Sequence, residues 1–391
     1  MDVARFQNSP LGRIVRISGY DARFNEEYDH FAYVADPLPD DIALANETWG
    51  VVADAMLSLG RLDDATSRFP NPGLLVRPTL RREAMSTAAL EGTFADLEEV
   101  LAADADETEA LGPEMREVIN AVTAIEAGVS ALRQGRSIGV QLACELQEIL
   151  IRGTRSEGAD TGRIRTGNVF IGREDQRVPD SRFIPCPAGP LLEEGFRQWE
   201  TWVNVDISIH LLVKTALAHY QFETLHPFHD GNGRLGRILA ILQLMADGAL
   251  HNPNLAISAW LEERDAEYRD GLARVSETGD FDAWVRFFAR GVLEQAERER
   301  TRVDELLNLR HVLVERVRGE RFRGLAVRVT EDLIGFPIMR VPELAQRYGV
   351  SFEAANSAVG RLVDIGVLRQ VGNRAYGRVF VAEEVLRVLR Y

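Results

Sequence analysis

Residues 226–237, HPFHDGNGRLGR, bring two histidines, an aspartate, three glycines, an asparagine and two arginines into one short stretch. These types suit the holding of a polyphosphate while a proton is moved. Gly231, Asn232 and Gly233 tolerate left-handed backbone angles, so successive N–H groups are expected to converge on an anion at the start of a following helix. Leu235 and Gly236 complete that nucleotide-holding run. Arg234 and Arg237 are three apart, on one side of the first turn, where both can meet phosphate oxygens. Asp230 offers the hard oxygen that a Mg²⁺ ion bridging phosphates requires. His226, just outside the nest, is the group there that can take a proton near neutral pH. Phe228 reads as a core anchor and His229 as a surface residue.

Other chemistries share parts of this pattern. GNGRLG satisfies the G-x-G-x-x-G dinucleotide fingerprint, but that fingerprint acts after a strand, and a helical pattern precedes it here. His219, His226 and His229, at spacings of seven and three, do not form a helix-borne zinc pair, and no cysteine is near. A second stretch, STAALEGTF, places Thr87 and Glu91 one helical turn apart, with Gly92 reading as a terminator. An acid at a helix C-terminus opposes the macrodipole, so Glu91 has either water or a cation from elsewhere as its partner.

The elements that position these residues read as mainly helical. Ile209, Leu212, Val213, Ala216, Leu217 and Tyr220 recur at helical spacing before the loop, and RLGRILAILQLMADG after it is apolar nearly all round. The loop therefore joins two helices of a bundle. After an irregular start and a helical stretch, Pro70, Pro72, Gly73 and Pro78 are expected to break regular structure. Residues 1–112 read as a mainly helical N-terminal region with a helix at about 79–92, and 113–295 as the catalytic core. Within the core, GRIRTGNVFIGREDQRVPDSRFIPCPAG carries a short β signal at Val169, Phe170 and Ile171, read as a hairpin-like flap. Residues 281–318 read as a long charged helix, with the connector between units assigned to 296–324. Residues 325–391 give helix, turn, helix and a two-stranded wing around Gly372 and Asn373, and so resemble a winged helix-turn-helix domain. From residue 340 onward eight arginines face five acids, while the whole chain of 391 residues carries a formal charge of −15. That charge excludes whole-molecule affinity for nucleic acid or anionic membrane. Asn356, Ser357 and Arg361 are a thin set for base readout, so protein contact and DNA binding both stay open for this unit. With Cys144 and Cys186 the only cysteines, one lysine at Lys214 and no apolar run near 18 residues, the expectation is a soluble, unexported protein of the cytoplasm.

The 226–237 stretch resembles the signature of Fic-domain proteins, His-x-Phe-x-(Asp/Glu)-Gly-Asn-Gly-Arg-x-x-Arg, at every fixed position. The resemblance implies transfer of AMP from ATP onto a serine, threonine or tyrosine hydroxyl of a target protein and of the chain itself, with His226 as base and Mg²⁺ on Asp230. RIRTGNVFIG is similar to the family's flap, which implies that residues 168–172, including Gly172, dock the target's backbone beside the nucleotide. Tyr268 stands where a Tyr-Tyr pair often borders the adenine, although Arg269 follows it here. TAALEG matches the inhibitory motif (Ser/Thr)-x-x-x-Glu-(Gly/Asn), which implies that Glu91, with Thr87, pairs with Arg237 and blocks the γ-phosphate position. The expected partners are ATP and target proteins, with a homodimer as a further option. Two alternatives are a transcription regulator that uses the core as a nucleotide sensor, and an enzyme working mainly in reverse to remove AMP.

Overall fold

The computed structural model describes residues 1–103, 111–173, 175–205, 208–372 and 377–390. The chain opens on a short helix, α1 (Val3–Phe6), and a long antiparallel hairpin of β1 (Gly12–Asp21) and β2 (Glu26–Ala35), in register from Gly12 opposite Ala35 to Asp21 opposite Glu26. The sequence gives little sign of this hairpin, which stands in the irregular start expected ahead of the helical stretch IALANETWGVVADAMLSLGRL. A ribbon with one packed and one wet face would alternate cleanly, but most of this one is exposed or half-exposed on both faces, so its apolar alternation is weak. Full burial along β1 is confined to Ile17 and Asp21.

The bundle follows as α2 (Asn46–Ser67), α3 (Gly73–Ala89), α4 (Leu97–Ala103), α5 (Pro113–Arg133), α6 (Val140–Ile151), α7 (Pro190–Asn204), α8 (Leu211–Leu225), α9 (Asn232–Ala246), α10 (Ile257–Glu262), α11 (Asp265–Thr278) and α12 (Phe281–Gly319). At its centre lie α8 and α9, the two helices that flank the 226–237 loop, and both are buried nearly all round. Two indoles clasp α8 from opposite neighbours: Trp199 of α7 donates to the Ala218 carbonyl at 2.9 Å and Trp284 of α12 to the Ala216 carbonyl at 2.8 Å.

Two expectations about boundaries change. The Pro/Gly cluster does not exclude helix: α3 begins at Gly73 and carries Pro78 inside it. A proline there leaves the Leu74 carbonyl without its helical donor, at about 3 kcal/mol. Burial of Leu74, Leu75, Val76, Leu80 and Ala84 along the helix offsets that cost. The helix expected at about 79–92 is thus longer at its start and ends at Ala89, with Gly92 left-handed (φ 86°) just beyond. The connector expected at 296–324 is the second half of one unbroken 39-residue helix, α12, packed along α2.

The C-terminal residues form α13 (Leu325–Asp332), β3 (Ile338–Arg340), α14 (Val341–Tyr348), α15 (Phe352–Asp364), β4 (Arg369–Val371), β5 (Val379–Val381) and α16 (Glu383–Arg390), with an antiparallel sheet in the order β3-β5-β4. Ser351 caps α15 by accepting from the Ala354 N–H at 3.2 Å. Asn373, at the expected wing tip, lies outside the described residues. No described helix is long and apolar enough to cross a membrane.

Candidate active site

His226 terminates α8 in a left-handed conformation (φ 49°) that a non-glycine residue seldom adopts. Its Nδ1 lies 3.3 Å from the Glu223 carbonyl. A proton on Nδ1 serves that contact and leaves Nε2 as a free acceptor. Burial pushes the imidazole down to about 4, with the Arg165 guanidinium acting in the same direction. His226 is therefore neutral at neutral pH, the state a base needs.

The loop is closed by Asn232, whose side chain accepts from the Phe228 N–H at 2.9 Å and donates to the Phe228 carbonyl at 2.8 Å. Phe228 is the core anchor expected of it, fully buried and edge-on to Phe196. The left-handed angles expected at three residues occur at one: Gly231 has φ 81°, while Asn232 and Gly233 are already the first turn of α9. Gly233 is needed for space instead, because a Cβ there would lie 2.2 Å from Glu91 Oε1. The Leu235 side chain is in the core and its N–H bonds to the Gly231 carbonyl, while Gly236 packs against Glu223. Neither lines the cleft.

Arg237 is 2% exposed. Its Nε donates to Thr87 Oγ1 at 2.7 Å, and its Nη2 to the Thr87 carbonyl at 2.9 Å and to Glu91 Oε1 at 2.7 Å. Burial pushes the Glu91 carboxyl up, but the charge of Arg237 and the hydrogen bond from it hold it below its ordinary value. Glu91 is thus an anion seated at the N-terminus of α9, where backbone N–H groups and the helix dipole favour negative charge. Arg234 faces elsewhere, with Nη1 3.0 Å from Glu117 Oε2 and Nη2 3.2 Å from Asp230 Oδ1. Burial works to raise the Asp230 carboxyl, yet Arg234 keeps it below its ordinary value, and 44% of its side chain stays exposed. One ionised, accessible carboxylate beside a phosphate cradle fits Mg²⁺, which takes one or two protein carboxylates and completes its shell with phosphates and water.

A cleft of about 290 Å³ joins these groups: Glu91, His226, Gly233, Arg237 and Tyr268 line it together with the flap at Val169, Phe170, Ile171 and Gly172. The flap is a single antiparallel bridge rather than a full hairpin, with Ile171 N–H to Phe183 carbonyl at 2.9 Å and the return bond at 3.1 Å. The N-terminal hairpin buttresses it. Phe170 sits edge-on to Tyr28 at 5.3 Å, and Tyr33 N–H donates to the Ile184 carbonyl at 2.9 Å.

Tyr268 is buried, its hydroxyl pushed up by burial and bonded to His219 Nε2 at 2.8 Å. His219 in turn bonds the Gly236 carbonyl at 3.1 Å, and burial drives it down to about 3. His229 pairs with Asp160 at 3.0 Å, so the three histidines of the loop region face three different partners. Sequence reasoning passed over Glu223, whose Oε1 is buried with no hydrogen-bond partner among the described residues and whose carboxyl burial raises to about 7. Its position one turn before His226 was the one available sign. Arg269, noted only as a departure, donates from Nη2 to the Leu90 carbonyl at 2.6 Å and so secures the end of α3.

Residues 49–130 match the family model for the Fic/DOC family N-terminal region and residues 137–244 that for the Fic/DOC family. Protein adenylyltransferase fic-1 of Caenorhabditis elegans is 31% identical over 137 residues, which are 34% of this chain and 24% of that protein. Protein adenylyltransferase Fic of Culex quinquefasciatus is 36% identical over 131 residues, 33% and 23% of the two chains. The chain thus spans about a quarter of the length of these curated relatives. A Fic family protein from Desulfovibrio desulfuricans G20 has the same fold over 87% of this chain and 97% of its own, with a TM-score of 0.55 at 22% identity. Fic-1 of C. elegans superposes over 67% and 74% of the two chains with a TM-score of 0.51 at 23% identity. The loop, the flap and the helix that leads to Glu91 all lie within the matched segments, so it is over residues 49–130 and 137–244 that the chain is similar to the Fic/DOC family.

Proposed function

We propose that the protein is an adenylyltransferase that moves AMP from ATP to a hydroxyl side chain of target proteins and of itself, and that Glu91 holds it inactive. The observation that carries this reading is the commitment of Arg237 to Thr87 and Glu91, beside a neutral His226 in the same cleft. A hydroxyl is a poor nucleophile at neutral pH, and His226 Nε2 is free to take its proton as it attacks the α-phosphorus, while the bond from that phosphorus to the bridging oxygen breaks and diphosphate leaves. The N-terminus of α9 cradles the phosphates through its backbone N–H groups. Held by Asp230, Mg²⁺ would supply charge neutralisation to the phosphate chain. The Val169–Gly172 edge, exposed to the cleft, is suited to hold an acceptor segment by strand addition. Glu91 is an anion at the place where phosphate would sit, and it occupies the guanidinium that would meet the terminal phosphate. Names borne by the curated relatives favour adenylyl transfer over a nucleotide-sensing regulator.

We infer that the C-terminal unit is a winged helix, a reading supported by α14 and α15 followed by the antiparallel sheet β3-β5-β4. Its exposed α15 face carries few base-reading groups, and Asn356 is already engaged by Arg378, which favours a protein contact there over base readout.

Incubation with ATP labelled at the α-phosphorus, with Mg²⁺, tests the proposal. Covalent label is expected on the protein, lost in His226→Ala while calorimetry still detects ATP. Label that survives His226→Ala would sink the mechanism.

A further inference from the structure

At the foot of the flap lies Arg165, 2% exposed. No carboxylate pairs with it among the described residues, and its hydrogen bonds all run to backbone carbonyls. Nε donates to His226 at 2.8 Å, Nη1 to Gly167 at 3.0 Å, and Nη2 to Leu225 at 3.4 Å and to Cys186. Its own N–H donates to the Pro227 carbonyl at 3.0 Å. Gly167 and Cys186 are the two roots of the flap; Leu225, His226 and Pro227 are the end of α8 and the start of the loop. Helix ends leave carbonyls without partners, and here one guanidinium takes up several at once. Burying a cation without a counter-ion is costly, and burial brings Arg165 down to about 10, still charged at neutral pH. Packing alone does not call for such a group.

We propose that Arg165 is a positioning residue for adenylyl transfer: it ties the left-handed backbone of His226 to both roots of the flap, so that the base and the acceptor-holding edge keep a fixed separation. The proposal rests on the transfer reading above. A second consequence follows from charge. Burial and then Arg165, beside the imidazole, favour its neutral form, against the Glu223 backbone carbonyl on α8 and the carboxylates of Glu91 after α3 and Asp230 in the loop. Arg237, Arg269 and Arg182 reach the same cleft from α9, α11 and the second limb of the flap.

The test uses the full chain carrying Glu91→Gly, so that transfer is measurable, with Arg165→Lys and Arg165→Gln added. Lysine keeps the charge, but its single nitrogen cannot reach carbonyls on both sides; glutamine loses the charge as well. Both variants are expected to lose roughly a hundredfold in labelling rate at saturating ATP, the scale of a misplaced reacting group, while ATP affinity holds. Arg165→Gln alone should move the acid limb of the pH–rate profile up towards the ordinary histidine value of about 6.5. Folded variants that label at the parent rate, or that lose ATP affinity in step with rate, would overturn the proposal, as would an acid limb unmoved in Arg165→Gln. Should neither variant fold, the Arg165 Nε–H of the parent, followed by nitrogen-15 NMR, decides: slow exchange with solvent supports the tie to the His226 carbonyl, and exchange as fast as in an exposed arginine contradicts it. An unlabelled Glu91→Gly parent overturns the transfer reading itself; a labelled parent with unaffected variants overturns this proposal alone.

Discussion

Arg237 and Asp230 stand at opposite sides of the loop, and each is committed to a charged partner before any nucleotide arrives. Asp230 offers its carboxylate to Arg234 from one oxygen, and nearly half of its side chain remains accessible. Asp230→Ala is therefore expected to cost about a hundredfold in labelling, with no recovery as Mg²⁺ is raised; recovery would mean that other groups hold the ion and that Asp230 serves to shape the loop. At this scale much was legible. Types and spacing alone singled out His226, Asp230 and Arg237, because nests and helix termini have local rules, whereas for Glu91 they left water and a cation open and the pairing with Arg237 came from the resemblance of TAALEG to an inhibitory motif. Arg165 and Glu223 were not legible, since a buried charge that bonds to distant carbonyls, or to nothing, leaves no spacing behind. The nest itself was overdrawn: one left-handed glycine and a helix N-terminus do the work assigned to three flexible residues.

The element that leads to both partners of Arg237 is α3. One side of it presents Glu83, Thr87 and then Glu91 to the core: Glu83 accepts from the Ser258 N–H at 2.9 Å and from its hydroxyl, and Thr87 meets Arg237. Its other side gives Arg82 to Glu299 of α12 at 2.9 Å and to the Leu389 carbonyl of α16 at 3.3 Å. Burial raises Glu83 to about 7. A carboxyl whose pKa is raised on folding adds stability that is present below its unfolded value, about 4.5, and is lost as pH rises through 7. Glutamine does not titrate, so Glu83→Gln should gain stability relative to the parent, by on the order of 1–3 kcal/mol, between pH 5 and pH 8. Melting curves of both proteins at the two pH values check this, and a difference that does not vary with pH would show that Glu83 is ionised throughout. Sequence located this helix but not its start, because the proline penalty is local while the burial that offsets it is tertiary. The β1–β2 hairpin stayed hidden for the converse reason: it contributes few buried side chains of its own, yet it braces the flap through Tyr28 and Tyr33.

In the whole molecule, α12 serves as the common spine and the C-terminal unit sits against α3, the helix that leads to Glu91. Gly335 is packed so closely on α3 that a Cβ would lie 2.8 Å from the Leu74 Cα, and Arg77 of α3 stacks on Phe336. Gly335→Ala is expected to destabilise the protein by about 1–3 kcal/mol. Gly360→Ala, on a face of α15 with nothing within 4 Å, should instead be neutral or stabilise by up to about 1 kcal/mol. Denaturant melts of the two variants measure this directly, and equal effects would deny the seating of the C-terminal unit on α3. The existence of that unit was legible from its turns and caps, but its contact with α3 was not, because nothing in either segment's periodicity names the other.

The central claim is that a carboxylate at the end of α3 withholds Arg237 from the nucleotide, and self-labelling with α-labelled ATP in Glu91→Gly and in Glu91→Gly with Arg237→Ala tests it most directly. A charge-assisted pair is worth about 1.5–3 kcal/mol, roughly a tenfold to hundredfold change in the blocked fraction. Labelling should therefore rise by that factor in Glu91→Gly and vanish when Arg237→Ala is added, whereas equal labelling by the parent and by Glu91→Gly, at saturating ATP and Mg²⁺ with the fold verified, would contradict the account.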